Sequence, residues 1–292
     1  MKQLKIVEST RPIGKFSSID IGIIDSGVGG LSVAQELKVL EPNLRLGYIA
    51  DTALFPYGDK SVETLIPRMR YFVSLFSEIG TRVVVIACNT ASSASLSDLR
   101  VHFNDSVRIV GMEPPLKPAA QHSSNRSVAV IATSGTVSGD SLTDLRQRFA
   151  SDIAARFIAA PGLADCVERG QMTDGEIDVL IGPIVQDIIK HNVDSVALGG
   201  SHYSFLMRKI RDKFPSNIKF FDAALPVARR AIQLFGEITK DDINAFNQCD
   251  PVNVFLTGSK KSFEETVRRL EESDCILPEI KIKLDKLEVP NV

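Results

Sequence analysis

The clearest chemical signal in the sequence is Cys88. It closes the apolar run Arg82–Ala87 and precedes Asn89, Thr90, Ala91, Ser92 and Ser93, small residues suited to opening a helix. A thiol at a strand end and helix start meets unpaired N–H groups and the positive end of the helix dipole. Such a position binds carboxylates and lowers a cysteine pKa from about 8.5 toward neutrality, which makes a base or nucleophile. A buried structural Cys, with Asn89 and Thr90 as caps, is the plainer alternative. Asp25 closes a second apolar run in Asp25-Ser26-Gly27-Val28-Gly29-Gly30. That pattern is neither G-x-G-x-x-G nor G-x-x-x-x-G-K-[ST], so it reads as a tight turn admitting a small ligand, not as a phosphate loop. Asp25 could hold a ligand ammonium, orient a neighbouring acid or base, or cap the next helix. Phe55-Pro56-Tyr57-Gly58 reads as a rigid loop offering backbone N–H groups to a carboxylate. In the second half, Gly199-Gly200-Ser201-His202-Tyr203 matches the place of Cys88-Asn89-Thr90. His202 alone of the four histidines stands at a strand-to-helix corner, which puts an acid-base group opposite the thiol.

The elements that must position these residues alternate. Apolar, β-branched runs predict strands at Asp20–Ile24, Leu44–Ile49, Arg82–Ala87, Val107–Val110, Ser127–Ala132, Ala154–Ile158, Ser195–Leu198, Ile218–Phe221, Asn253–Leu256 and Glu279–Leu284. Helical periodicity marks Val62–Ile79 and Glu176–His191, and Ser262-Phe-Glu-Glu265 reads as a capping box opening a helix to about Glu272. Such alternation predicts an α/β protein with largely parallel sheets. The first residues, 1–18, lack periodicity and read as an N-terminal arm. A supersecondary unit repeats: IGIIDSG matches VAVIATSG, and VVVIACNT leading to VRIVG matches DSVALGGSH leading to IKFFD. Two similar lobes would bring these strand ends to a common cleft, where open α/β sheets bind ligands. The expected division is 19–113 plus 225–292 for the first lobe and 114–224 for the second.

Composition narrows the function. With 44% hydrophobic and 24% charged residues among 292, the chain is a packed globular protein, not a disordered one. A formal net charge of −2 gives no footprint for nucleic acid or an anionic membrane. No apolar run approaches the ~20 residues of a membrane span, and the start lacks a signal peptide's apolar stretch, so a cytoplasmic location is expected. The four cysteines, Cys88, Cys166, Cys249 and Cys275, are dispersed and form no C-x-x-C pair, which suggests neither a disulfide framework nor a structural zinc site.

Taken together, IGIIDSGVGGLSV (21–33), YIADTALFPYGDKS (48–61), VVVIACNTASSASL (83–96), VAVIATSGTV (128–137), LGGSHY (198–203) and FLTGSKKSFEETVRRL (255–270) resemble the glutamate racemase family of the aspartate/glutamate racemase superfamily. The resemblance implies two pseudo-symmetric α/β lobes with the site between them, no cofactor and no metal. It implies Cα proton transfer on a dicarboxylic amino acid, glutamate first, by two cysteines on opposite faces. Cys88 would be the thiol of the first lobe, assisted by Asp25. Ser26, Tyr57, Gly58, Asn89 and Thr90 would bind the amino acid, Thr133 and Thr136 would line the site, and Ser201 would stand for a substrate-binding threonine. His202 matches the histidine beside the second thiol. D-glutamate supply for cell-wall peptidoglycan follows from the resemblance, and a homodimer is an expectation because superfamily members are often dimers.

One motif departs. The family pattern Leu-Gly-Cys-Thr-His-Tyr-Pro reads here Leu198-Gly-Gly-Ser-His-Tyr-Ser204, so Gly200 stands where the second catalytic cysteine belongs. Glycine cannot titrate, and ordinary two-thiol racemisation does not carry over. Cys166 falls on a different connection, in a segment whose family match ends at Glu168, and is not expected to replace the lost thiol. Three functions stay open: glutamate-racemase-like proton exchange with weakened inversion, one-thiol chemistry like that of the superfamily's arylmalonate decarboxylases, and a non-catalytic ligand-binding or regulatory protein.

Overall fold

The computed structural model describes residues 19–104, 106–170, 172–238, 250–277 and 280–289. The arm expected at 1–18 and Cys249 lie outside them. The first half runs β1 (Ile21–Asp25), α1 (Leu31–Leu40), β2 (Leu46–Ala50), α2 (Val62–Glu78), β3 (Val83–Ile86), α3 (Asn89–Phe103), β4 (Arg108–Gly111) and α4 (Leu116–His122). The second continues with β5 (Ser127–Ala132), α5 (Ser134–Val137), α6 (Asp140–Phe149), β6 (Ala154–Ala159), α7 (Leu163–Glu168), α8 (Asp174–Lys190), β7 (Ser195–Gly199), α9 (Tyr203–Arg211) and β8 (Lys219–Phe221). The chain closes with α10 (Ala224–Ile238), β9 (Val252–Leu256), α11 (Lys260–Glu272) and β10 (Ile282–Lys286).

The strands form two parallel sheets, ordered β10-β9-β2-β1-β3-β4 and β6-β5-β7-β8. The order β2-β1-β3-β4 recurs as β6-β5-β7-β8, so the repeat read from the sequence is a repeat of topology, and β9 and β10 extend the first lobe alone. Registers place the chemistry. β1 pairs with β3 from Ile21 opposite Val83 to Ile24 opposite Ile86, which brings Asp25 and Cys88 to the same carboxyl end. β5 pairs with β7 up to Ala132 opposite Gly199, which does the same for Thr133 and Gly200.

Both faces of each sheet are covered, which is why the strands read as unbroken apolar runs. With side chains alternating, Ile21, Ile23, Val83 and Val85 pack with Leu31, Leu37, Val227 and Ala231 of α1 and α10. Ile24, Val84 and Ile86 meet Met69, Phe72 and Phe76 of α2 and Leu96 of α3 on the other face. In the second lobe Val128, Val130 and Ala197 pack with Leu116, Leu142 and Leu145. Their neighbours Ala129, Ile131 and Leu198 share the first lobe's α1 and α10 cluster, so the two lobes have a continuous apolar junction.

Differences from the sequence expectations are local. The last strand lies later than Glu279–Leu284 because its register is set by β9, with Ile282 opposite Val252. The capping box at Ser262 is not the start of α11: Ser259 is the N-cap, its hydroxyl accepting from Ser262 N at 3.3 Å. Among the described residues no helix is long and apolar enough to cross a membrane.

Candidate active site

The carboxyl ends of both sheets converge on a cavity of about 30 Å³, bounded by Ser26, Tyr57, Cys88 and Asn89 from the first lobe and by Thr133, Gly200 and His202 from the second. The free space left between these side chains is narrow.

Asp25 is fully buried at the end of β1. Its Oδ2 accepts from Gly30 N at 3.0 Å and Gly27 N at 3.3 Å, which makes it the organiser of the glycine turn. Its Oδ1 accepts from Ser201 Oγ, 3.3 Å away across the cleft. Burial pushes the Asp25 carboxyl above its ordinary value, with His202 opposing the shift and Glu168 adding to it. The glycines serve close approach. A Cβ on Gly27 would overlap the Glu168 carboxylate, and one on Gly29 would strike Ser201 Oγ and the His202 ring.

Cys88 is the N-cap of α3, in extended backbone, with Ser92 N donating to its carbonyl at 2.8 Å. The position is as expected, but the expected pKa direction is overturned. Burial first, then the nearby Asp25 charge, push the thiol up to about 12, and the N–H groups of Ala91 and Thr90 and the Ser26 hydroxyl offset this only partly. In the narrow cleft Cys88 is therefore a thiol. Next to it the buried Asn89 amide has neither its Nδ2 nor its Oδ1 paired. Thr90 Oγ1 shares a hydrogen bond with Thr133 Oγ1 at 3.0 Å, and Thr133 and Thr136 are joined at the same distance, so the three hydroxyls tie the lobes together.

On the opposite side His202 is buried as the N-cap of α9. Its Nε2 lies 2.6 Å from Glu168 Oε1, its Nδ1 lies 3.3 Å from Ser201 Oγ, and Phe55 covers its ring at 5.8 Å. Burial works against protonation, but the hydrogen bond and charge of Glu168, with Asp25 behind them, prevail and hold the imidazole above its usual range. Glu168 Oε1 also accepts from Val28 N at 2.6 Å, so one carboxylate fastens α7 and His202 to the glycine turn. In the sequence Glu168 stands out only as the end of a family segment. Its partners are 140 and 34 residues away, and no local signal reports them.

Gly200 follows β7, and a Cβ built there meets the Tyr203 ring at 3.0–3.1 Å. Tyr57 lines the cavity, but its hydroxyl donates to Asp51 Oδ2 at 2.6 Å. The Phe55–Pro56 peptide before it is cis, and a Cβ built on Gly58 would lie 3.8 Å from Thr133 Cβ of the other lobe, in ordinary contact. Cys166 is buried in α7 beside Arg169 Nη2 at 3.6 Å, its thiol pushed up to about 11 by burial and Glu176, and it is not among the cavity's walls. Among the described residues no group of three or more His, Cys, Asp or Glu side chains is arranged to hold a metal ion.

No protein-family model matches the chain. The glutamate racemase of Pseudomonas entomophila (strain L48) is 40% identical over 220 residues, covering 75% of this chain and 83% of that protein. The glutamate racemase of Roseiflexus sp. (strain RS-1) is 34% identical over 265 residues, 90% of this chain and 93% of that one. The crystal structure of Escherichia coli glutamate racemase in complex with L-glutamate and the activator UDP-MurNAc-Ala superposes with a TM-score of 0.79 at 28% identity, covering 94% of this chain and all of that one. With two parallel sheets in pseudo-repeat, a thiol and a histidine at facing sheet ends, and curated relatives matched over most of their length, this chain belongs to the glutamate racemase family.

Proposed function

We propose that this protein is an isomerase-type enzyme that exchanges the Cα proton of glutamate, with Cys88 as the base on one face. The observation that carries the reading is the buried, unpaired Asn89 amide beside Cys88 at the start of α3. An unmet buried amide costs free energy until a partner arrives, and a carboxylate accepting from it and from the helix N–H groups supplies one. The E. coli relative is crystallised with L-glutamate, which fits that ligand class.

The chemistry follows from the charges. Burial first and then the Asp25 charge hold the Cys88 thiol up, and the ligand's ammonium, placed at Asp25 and Ser26, offsets the second of these. Cys88 then gives up its proton to solvent more readily as the ligand enters, and the thiolate takes the one on Cα. On the far side Gly200 stands for the second thiol, and return of the proton falls to a water polarised by His202, whose protonation Glu168 favours. A replacement held so loosely makes inversion slow, since a positioned acid or base contributes ~10²–10⁴-fold. Gly200 also favours a second reading, one-thiol chemistry on a single face without inversion.

The deciding experiment incubates L- and D-glutamate with the protein in D₂O and follows the Cα proton and the enantiomer ratio by NMR and chiral chromatography. Exchange that disappears in Cys88→Ala supports the reading. Exchange without inversion selects the one-face alternative. No exchange with either enantiomer, or exchange indifferent to Cys88→Ala, overturns it.

A further inference from the structure

We propose that Asp51, with Arg68 and Thr257, forms a latch that positions the Tyr57–Gly58 loop to receive the ligand's side-chain carboxylate; the ligand half of this inference rests on the glutamate reading above. Asp51 follows β2 and is fully buried, yet all its acceptor capacity is used. Oδ2 accepts from the Tyr57 hydroxyl at 2.6 Å and Arg68 Nε at 2.8 Å. Oδ1 accepts from Arg68 Nη2 at 2.6 Å and the Thr257 hydroxyl at 2.7 Å. The Arg68 contact is the bidentate fork that guanidinium and carboxylate form best. Thr257 in turn accepts from Ala53 N at 3.0 Å, and Gly258 N donates to Thr52 Oγ1 at 3.1 Å. The Thr-Gly pair after β9, which has no part in the cavity, thus clamps the connection leading into the loop.

The latch decides what the loop presents. Burial and the Asp51 charge push the Tyr57 phenol well above its ordinary value, so it stays a donor committed to Asp51. The Tyr57 ring then walls the cavity while its hydroxyl points away from it, and the loop meets a ligand through its backbone. In the glutamate reading Cys88 works at Cα, the α-carboxylate is assigned to the start of α3 beside it, at Asn89 and Thr90, and the side-chain carboxylate to the loop. Asp51, Arg68 and Thr257 touch no ligand in this scheme and are positioning residues.

The test compares wild type with Thr257→Val, which removes the hydroxyl's bonds to Asp51 and from Ala53 N and leaves the ion pair, and with Thr257→Ser, which restores the hydroxyl. Asp51→Asn is the stronger variant, but it leaves Arg68 without its buried partner charge, so Thr257→Val decides if that variant fails to fold. Calorimetry measures binding of L-glutamate and of L-2-aminobutyrate, which lacks the second carboxylate, and hydrogen exchange follows the amides of residues 58–60. In Thr257→Val the amides are expected to exchange faster and the preference for glutamate over 2-aminobutyrate to fall roughly tenfold, as for loss of one hydrogen bond to a charged group. Saturating Cα exchange stays at the wild-type rate, and Thr257→Ser recovers both losses. Unchanged amide exchange overturns the latch. Faster amide exchange with an unchanged ligand preference overturns its part in recognition. Wild type that binds neither amino acid overturns the glutamate reading, while amide exchange still decides the latch.

Discussion

Gly200→Cys puts a thiol back where the second lobe lacks one. A side chain there meets the Tyr203 ring carbons at 3.0–3.1 Å, inside ordinary contact distance. The ring is fully buried and its hydroxyl donates to Ala160 O at 3.3 Å, so it can give only by a few tenths of an ångström. Overpacking a core costs ~1–3 kcal/mol, and so small a displacement belongs at the lower end, about 1 kcal/mol. For a chain of this size that lowers the melting temperature by ~2–4 °C. Against this stands a positioned acid or base, with its ~10²–10⁴-fold effect on proton transfer. Gly200→Ala imposes the same crowding without an acid and is the control. The assay is the enantiomer ratio of glutamate with time, with melting curves for each variant. Gly200→Cys is expected to invert glutamate at least ~100-fold faster than Gly200→Ala, at equal thermal cost. A folded Gly200→Cys that inverts no faster than Gly200→Ala refutes the assignment of this position to the missing thiol.

Other expectations concern the groups around it. Asp25→Asn removes a charge that raises the Cys88 thiol, so the pH profile of thiol alkylation shifts downward while Cα exchange slows; a profile that does not move contradicts the coupling. Gly27→Ala drives a methyl into the Glu168 carboxylate, and it is expected to cost ~1–3 kcal/mol of stability by denaturant titration and to lower the His202 pKa seen by NMR. His202 has a folded pKa above its unfolded value of ~6.5, so its contribution to stability is fully present below that value and is lost as pH climbs through the folded pKa. His202→Gln should flatten that part of the stability curve, and a curve identical to wild type would count against the His202–Glu168 pair.

Much of this was legible in the sequence because buried parallel strands advertise themselves as apolar runs, and Asp25, Cys88 and His202 sit directly at their ends. The repeat could be read for the same reason, since each half ends equivalent strands in small-residue turns. Two kinds of fact were not legible. Glu168 and the Asp51, Arg68 and Thr257 latch join segments far apart in the chain, and no local pattern encodes such a meeting. The Cys88 pKa reversed because a helix N-terminus is visible in sequence, whereas the burial and the Asp25 charge that outweigh it are products of the narrow cleft. The start of α11 was misplaced because Ser259 and Ser262 are both acceptable caps, and the fold uses the earlier one.

The interrupted construction of the larger sheet has a consequence for biosynthesis. Strands β5 to β8 form a complete sheet from one contiguous stretch, while the β2 edge of the other waits for β9, two hundred residues downstream. As chains emerge from the ribosome amino end first, the second lobe has all its strands before the first lobe does. Until Val252–Leu256 appear, β2 exposes an unpaired edge that can recruit strands from other chains. A nascent chain stalled before β9 would therefore be aggregation-prone despite having one finished sheet.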